Sequence, residues 1–129
     1  MATAPTHIKA QKLLVTGPYK MSVADSVDGL LYMPDAAASD GIRNLIVAAG
    51  NVLCGFLDKR AKVGDNVSLV ILGSGPAVAS GVIAINAPVT VDTAGKCKTG
   101  TPGTDNIIGF NDGPATTADG DIFTLIKIA

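Results

Sequence analysis

The chain holds one histidine, His7, and no glutamate, so acid and base chemistry would fall to its aspartates. A hydrolase needs a nucleophile beside a base, and His7 lies in a proline-punctuated segment that reads as an extended arm. Most aspartates stand next to glycine, where a carboxylate hydrogen-bonds the backbone of its own turn. Oxygen donors crowd in one place, Asp105, Asn111, Asp112, Asp119 and Asp121, a set that could hold a hard cation such as calcium. Their spacing matches no EF-hand loop, and turn chemistry accounts for them. Cys54 and Cys97 are spaced for neither a metal knuckle nor a redox pair. They read as two reduced, semi-buried thiols, with a disulfide between them left open. Gly95-Lys96 is followed by Cys97 where a phosphate loop requires Ser or Thr. The sequence therefore predicts no catalytic, cofactor-binding or metal-binding residue, and no enzyme.

The elements behind those residues follow from composition. With 129 residues, 47% of them hydrophobic, the chain has enough apolar surface for one ordinary core. Tryptophan is absent, aromatics are 4%, and Gly, Ala, Val, Ile, Thr and Asp dominate. β-Branched residues bounded by Gly, Pro, Asn and Asp are the signature of strands and tight turns. Ten basic and eleven acidic residues leave a net charge of −1, which supplies no footprint for a nucleic-acid backbone. The densest basic spot, Lys59, Arg60 and Lys62, reads as a solvated turn. No apolar run approaches the ~20 residues a bilayer requires, and the first twelve residues lack the pattern of a signal peptide. A soluble protein made in the cytoplasm is expected.

Two segments share one grammar, residues 52–72 and 107–128, each an apolar pair, a turn and a strand. Gly55-Phe56 matches Gly109-Phe110, Asp58 matches Asp112, Ala61 matches Ala115, and Gly64-Asp65 matches Gly120-Asp121. Both strands that follow carry apolar residues on both parities, which fits a small barrel or a subunit interface. Between the copies, residues 77–85 and 87–91 read as strands, and Gly73 to Pro76 as a turn. Asp92 to Gly95 reads as a hairpin turn with Gly95 at positive φ, leading into a strand over 96–99. In the first third, residues 8–15 and 30–33 read as strands and 34–40 as a loop. Ser39 or Asp40 could cap a short helix over 42–49. The expectation is an all-β, mainly antiparallel fold, a small β-barrel or β-sandwich with an internal repeat and at most one short helix. Residues 1–12 would form an extended arm and 13–129 a single β-rich domain.

The stretch from Pro76 to Ile128 resembles the capsid decoration, or cement, proteins of tailed phages. The resemblance rests on Val91-Asp92-Thr93-Ala94-Gly95-Lys96, on Ile107-Ile108-Gly109, on the small-residue loop 115–118 and on Gly120-Asp121 opening the last strand. Phe110-Asn111-Asp112 departs from the family pattern, and the region before Val52 has no counterpart in it. The resemblance implies a structural protein on the outside of a virion, bound to the major capsid protein and stapling neighbouring capsomers. It needs no cofactor, nucleic acid or membrane. Self-association as a trimer or dimer would suit a capsid axis. Contacts would come from the arm, through Thr3, Pro5, His7 and Lys9, from the loop around Asp58 to Gly64 bearing Lys59, Arg60 and Lys62, and from the loop around Asp112 to Gly120. The alternatives are a tail or baseplate component and a small-ligand or carbohydrate-binding β-module. The latter would have to build its platform from Tyr19, Tyr32, Phe56, Phe110 and Phe123.

Overall fold

The computed structural model describes residues 11–129 except Val23, Asp40 and Asn51. Among these the fold is all-β. Its strands are β1 (Gln11–Met21), β2 (Tyr32–Ser39), β3 (Ile42–Val47), β4 (Phe56–Leu57), β5 (Asn66–Ser80), β6 (Pro88–Val91), β7 (Cys97–Thr99), β8 (Gly109–Asn111) and β9 (Asp119–Lys127). They close two circuits. In the second, β5 pairs with β7, β7 with β6, β6 with β8, β8 with β9, and β9 returns to β5. In the first, β1 pairs with β3, β3 with β2, and β4 with β5, which returns to β1. A bridge between Tyr32 and Gly55 completes it.

The two circuits are one design used twice, with β5 ending the first barrel and beginning the second. Each contains one parallel pair at the same station, Met21 beside Leu45 and Ala79 beside Cys97. Pro34 faces Leu45 as Val91 faces Cys97, and Tyr32 faces Val47 as Val89 faces Thr99. Phe56 faces Val70 as Phe110 faces Ile126. The likeness reaches the connections. Leu30 N–H donates to Val27 O at 3.2 Å, and Ala87 N–H to Ala84 O at 3.1 Å. In these two turns Gly29 and Asn86 take the same positive φ position, 83° and 62°, and asparagine is among the few non-glycine residues that tolerate it. The repeat legible in residues 52–72 and 107–128 is thus the closing hairpin of a longer duplication that covers the described chain.

Each barrel encloses its own core. Met21, Tyr32, Leu45, Ala61, Val67 and Leu69 fill the first. Ala77, Ala79, Val89, Val91, Cys97, Phe123 and Leu125 line the second, where Leu31, Phe56 and Val70 of the first barrel join them. Neighbouring strand positions alternate between the two cores, Val67 and Leu69 inward and Val70 outward, so the first barrel seats an apolar outer face on the second.

Several expectations are corrected. Residues 42–49 form no helix, because Ile42–Val47 is a central strand paired on both edges, with β1 and β2. Pro34 to Ser39 is no loop; it continues β2 through a register shift between Pro34 and Ala38, the irregularity that lets proline sit in a strand. Gly73 to Pro76 is no turn but the middle of β5, where the strand passes from β1 to β9. Residues 77–80 end that strand instead of starting another. The expected arm overlaps β1, since Gln11 and Lys12 pair with Ser74 and Gly73. In the repeat Ala61 corresponds to Thr116, not Ala115. Ala61 is tied to Ser26, and Thr116 to Ile83, by one main-chain and one hydroxyl hydrogen bond each.

Candidate partner-binding surface

The loops between the last two strands of each barrel are held by matching aspartates. Asp58 N–H donates to Ser68 O at 3.0 Å and Asp112 N–H to Thr124 O at 2.9 Å, closing each loop on its strand. The Asp65 carboxylate accepts from Lys62 N–H at 2.9 Å. That of Asp121 accepts from Thr117 and Ala118 N–H at 2.8 and 3.0 Å. Gly64 and Gly120 supply the same positive φ, 94° and 93°. Gly95 has φ 74°, as its hairpin requires, and lies under Leu31 and Val47 of the first barrel. Asp58, Gly64, Asp65, Gly95, Asp112, Gly120 and Asp121 thus shape loops and their ends, whereas Gly55 and Gly109, expected at turns, lie in strand pairs, Gly55 bridged to Tyr32 and Gly109 paired with Val89 and Lys127.

What the loops present differs in sign. The first displays Lys59, Arg60 and Lys62, all exposed. Arg60 grips Asp28 with both ends of its guanidinium, at 3.0 and 2.6 Å, and that hydrogen bond raises its pKa further above the ordinary value. Asp58 pairs with Lys12 of β1. The second loop displays Asp112, Asp119 and Asp121, with Asp119 3.1 Å from Lys96. Thr3, Pro5, His7 and Lys9 lie outside the described residues.

Three hydrogen bonds, two from the N–H groups of Thr117 and Ala118 and one from the Thr117 hydroxyl, hold the Asp121 carboxyl below its usual range. A lowered native pKa stabilises the fold above the unfolded value, about 3.9, and the contribution fades as pH falls through the native one. Asp121→Asn is therefore expected to lower Tm at neutral pH. The gap from the parent chain should close below about pH 4 in a melting series.

The groups considered for chemistry sit apart among the described residues. Cys54 and Cys97 are unpaired, fully buried and part of one apolar cluster. Burial pushes the Cys54 thiol up to about 11 and that of Cys97 higher still, so neither is a thiolate at neutral pH. Four of the five oxygen donors considered for a cation are engaged apart: Asp105 caps Thr101 N–H at 2.8 Å, Asp119 holds Lys96, Asp121 holds its own loop and Asn111 binds loop main chain. No group of three metal-binding side chains gathers among the described residues. Of the five aromatic residues, Tyr32, Phe56 and Phe123 are buried, which leaves Tyr19 and Phe110 for any sugar-stacking platform. No helix among the described residues is long and apolar enough to cross a membrane.

Sequence reasoning missed four buried polar side chains among the described residues, Thr90, Asn111, Thr116 and Lys127, all in the second barrel. Asn111 donates to the carbonyls of Ile83, Ala84 and Pro114, each at 3.2 Å, and accepts from Gly113 N–H at 2.8 Å. Thr116 donates to Gly81 O at 2.7 Å. Lys127 donates to Ile71 O at 2.8 Å, to Val52 O at 3.3 Å and to the main-chain oxygen of Ala129, and burial lowers its pKa. Lys127 was detectable, because Phe123, Leu125 and Lys127 share the inward parity of β9. Nothing local marks Asn111.

Fold and surface together define an all-β protein of two fused barrels whose variable features are charged loops. Neither protein-family models, curated proteins nor solved structures offer a match to the chain.

Proposed function

We propose that this chain is a non-enzymatic capsid decoration protein that binds the outer face of an assembled phage shell and bridges neighbouring capsomers. The observation that carries the reading is the duplicated barrel. One continuous sheet presents two corresponding loops, 58–65 and 112–121, a layout suited to engaging two subunits of a repeating surface at once. Two modest contacts held together gain avidity without either being strong. The family resemblance over Pro76 to Ile128 supports the same reading, because those residues make up most of the second barrel. The partner is the major capsid protein, the place the virion exterior after synthesis in the host cytoplasm, and the working form a homo-oligomer.

The test is co-sedimentation with purified shells, with copy number counted by mass spectrometry. Saturation at a simple fraction of the shell subunits is expected. Lys59→Glu combined with Lys62→Glu should weaken binding about tenfold, mainly through slower association. Arg60 is left intact because it is committed to Asp28. A handful of copies per particle would indicate a tail component instead, and no association with particles would overturn the reading.

A further inference from the structure

The duplication shows how this protein covers one of its own surfaces, and both halves of that contact recur uncovered among the described residues. Within the chain, Leu31, Phe56 and Val70 form an outer face of the first barrel and are buried in the core of the second. Their counterparts in the second barrel are Pro88, Phe110 and Ile126, joined side by side by the β6–β8 and β8–β9 pairings. Phe56 is 4% exposed and Phe110 is 39% exposed. Pro88 and Ile126 are only half-buried, and Ile128 is exposed just beyond them. The second barrel thus carries the face by which the first barrel docks, uncovered among the described residues.

The receiving seat is duplicated too. In the second barrel it includes the β6–β7 turn, where Gly95 lies so close under Leu31 and Val47 that an added Cβ would stand 2.5 Å from Val47 Cγ1. Gly95 N–H donates to Ala48 O, and Leu31 N–H to Gly95 O. Ala77 of β5 belongs to the same apolar cluster. The β7 and β5 positions of this seat correspond in the first barrel to the start of β3, around residues 42 and 43, and to β1 at residues 16–19. Those segments are not packed together. β1 and β3 pair only at Lys20 and Met21, and before that point they diverge around an open groove lined by residues 16–19 and 41–43. Gly41 at its rim has nothing within 4 Å, where Gly95 is buried.

We infer that a second copy of this chain fills the groove, with the Pro88–Phe110–Ile126 face of one molecule seated between β1 and β3 of the next as the first barrel is seated on the second. Face and groove are different surfaces, so the contact is head-to-tail; it closes into a ring where the rotation allows and grows where it does not. The inference deepens the self-association named above and is independent of shell binding.

Sedimentation of the full chain tests it, in parallel with the shell assay so that loss of one is not mistaken for loss of the other. The parent chain is expected to assemble at micromolar concentration. Phe110→Asp and Ile42→Asp, each spoiling one surface, should each weaken assembly about tenfold or more while melting near the parent Tm. Mixed together they should form a one-to-one dimer, since one good face and one good groove remain. If Ile42→Asp melts early, Arg43→Glu replaces it at the groove. A monomeric parent chain, assembly untouched by either substitution, or a mixture that stays monomeric would overturn the inference.

Discussion

Gly109→Ala is expected to cost about 4 kcal/mol or more, the exceptional end of single substitutions, and to leave little folded protein at physiological temperature. An alanine Cβ there would lie 1.8 Å from Ile126 O and 3.0 Å from Lys127 Cα, atoms of the paired strand that cannot turn aside. Gly55 occupies the corresponding station, with Val70 O at 2.4 Å, so Gly55→Ala should be damaging by the same mechanism but less so. Gly113 is the control. Its nearest neighbours would be an ordinary 3.6 and 3.8 Å away, and Gly113→Ala should change stability by roughly 0.5 kcal/mol or less, in the stabilising direction if the unfolded chain dominates. Urea midpoints at constant m-value separate the three.

Asn111→Ala should come next, at about 2–4 kcal/mol. The amide is fully buried and joins three carbonyls of two loops, 81–84 and 113–116, which Thr116 also ties together through Ile83 N–H and Gly81 O. Its removal leaves Pro114 O and Gly113 N–H without this partner and takes one of two donors from Ile83 O and from Ala84 O. The first barrel has Leu57 at this station, which invites Asn111→Leu as a repair. That substitution should fail almost as badly, since it restores volume and supplies no donor. Agreement between Asn111→Leu and the parent chain in urea unfolding would disprove the assignment.

The sequence displayed the second barrel far better than the first, for a physical reason. In residues 107–128 the strand is short, its turn aspartates are adjacent to glycine, and apolar alternation starts cleanly after Asp121. The first barrel obscures its own copy. The β2–β3 hairpin has longer strands than its β6–β7 counterpart, Pro34 and a bulge interrupt β2, and Ile42–Val47 carries apolar residues on a spacing that a helix also allows. β5 misled most. A Gly-Ser-Gly-Pro run usually marks a turn, but here the small residues lie where one strand has neighbours on both edges, and glycine is tolerated at a close approach. Gly17-Pro18 and Gly75-Pro76 are corresponding positions in the two copies, a likeness visible in the letters once the strand order is known. The charges of the candidate contact loops were legible. The face at Phe110 and the groove at Thr16 were not, because each is defined only by comparison with a buried counterpart.

β5 has a mechanical consequence. Its fifteen residues, at about 3.3 Å each, make an unbroken span of roughly 50 Å that serves as a wall of both barrels. A pull on a loop of one barrel reaches the other along a covalent backbone, with no linker on the way to bend or yield. Domains strung on a flexible connector absorb tension by swinging apart. This molecule has to carry it as shear along the hydrogen-bonded edges of a single strand, and losing that strand would open both barrels together.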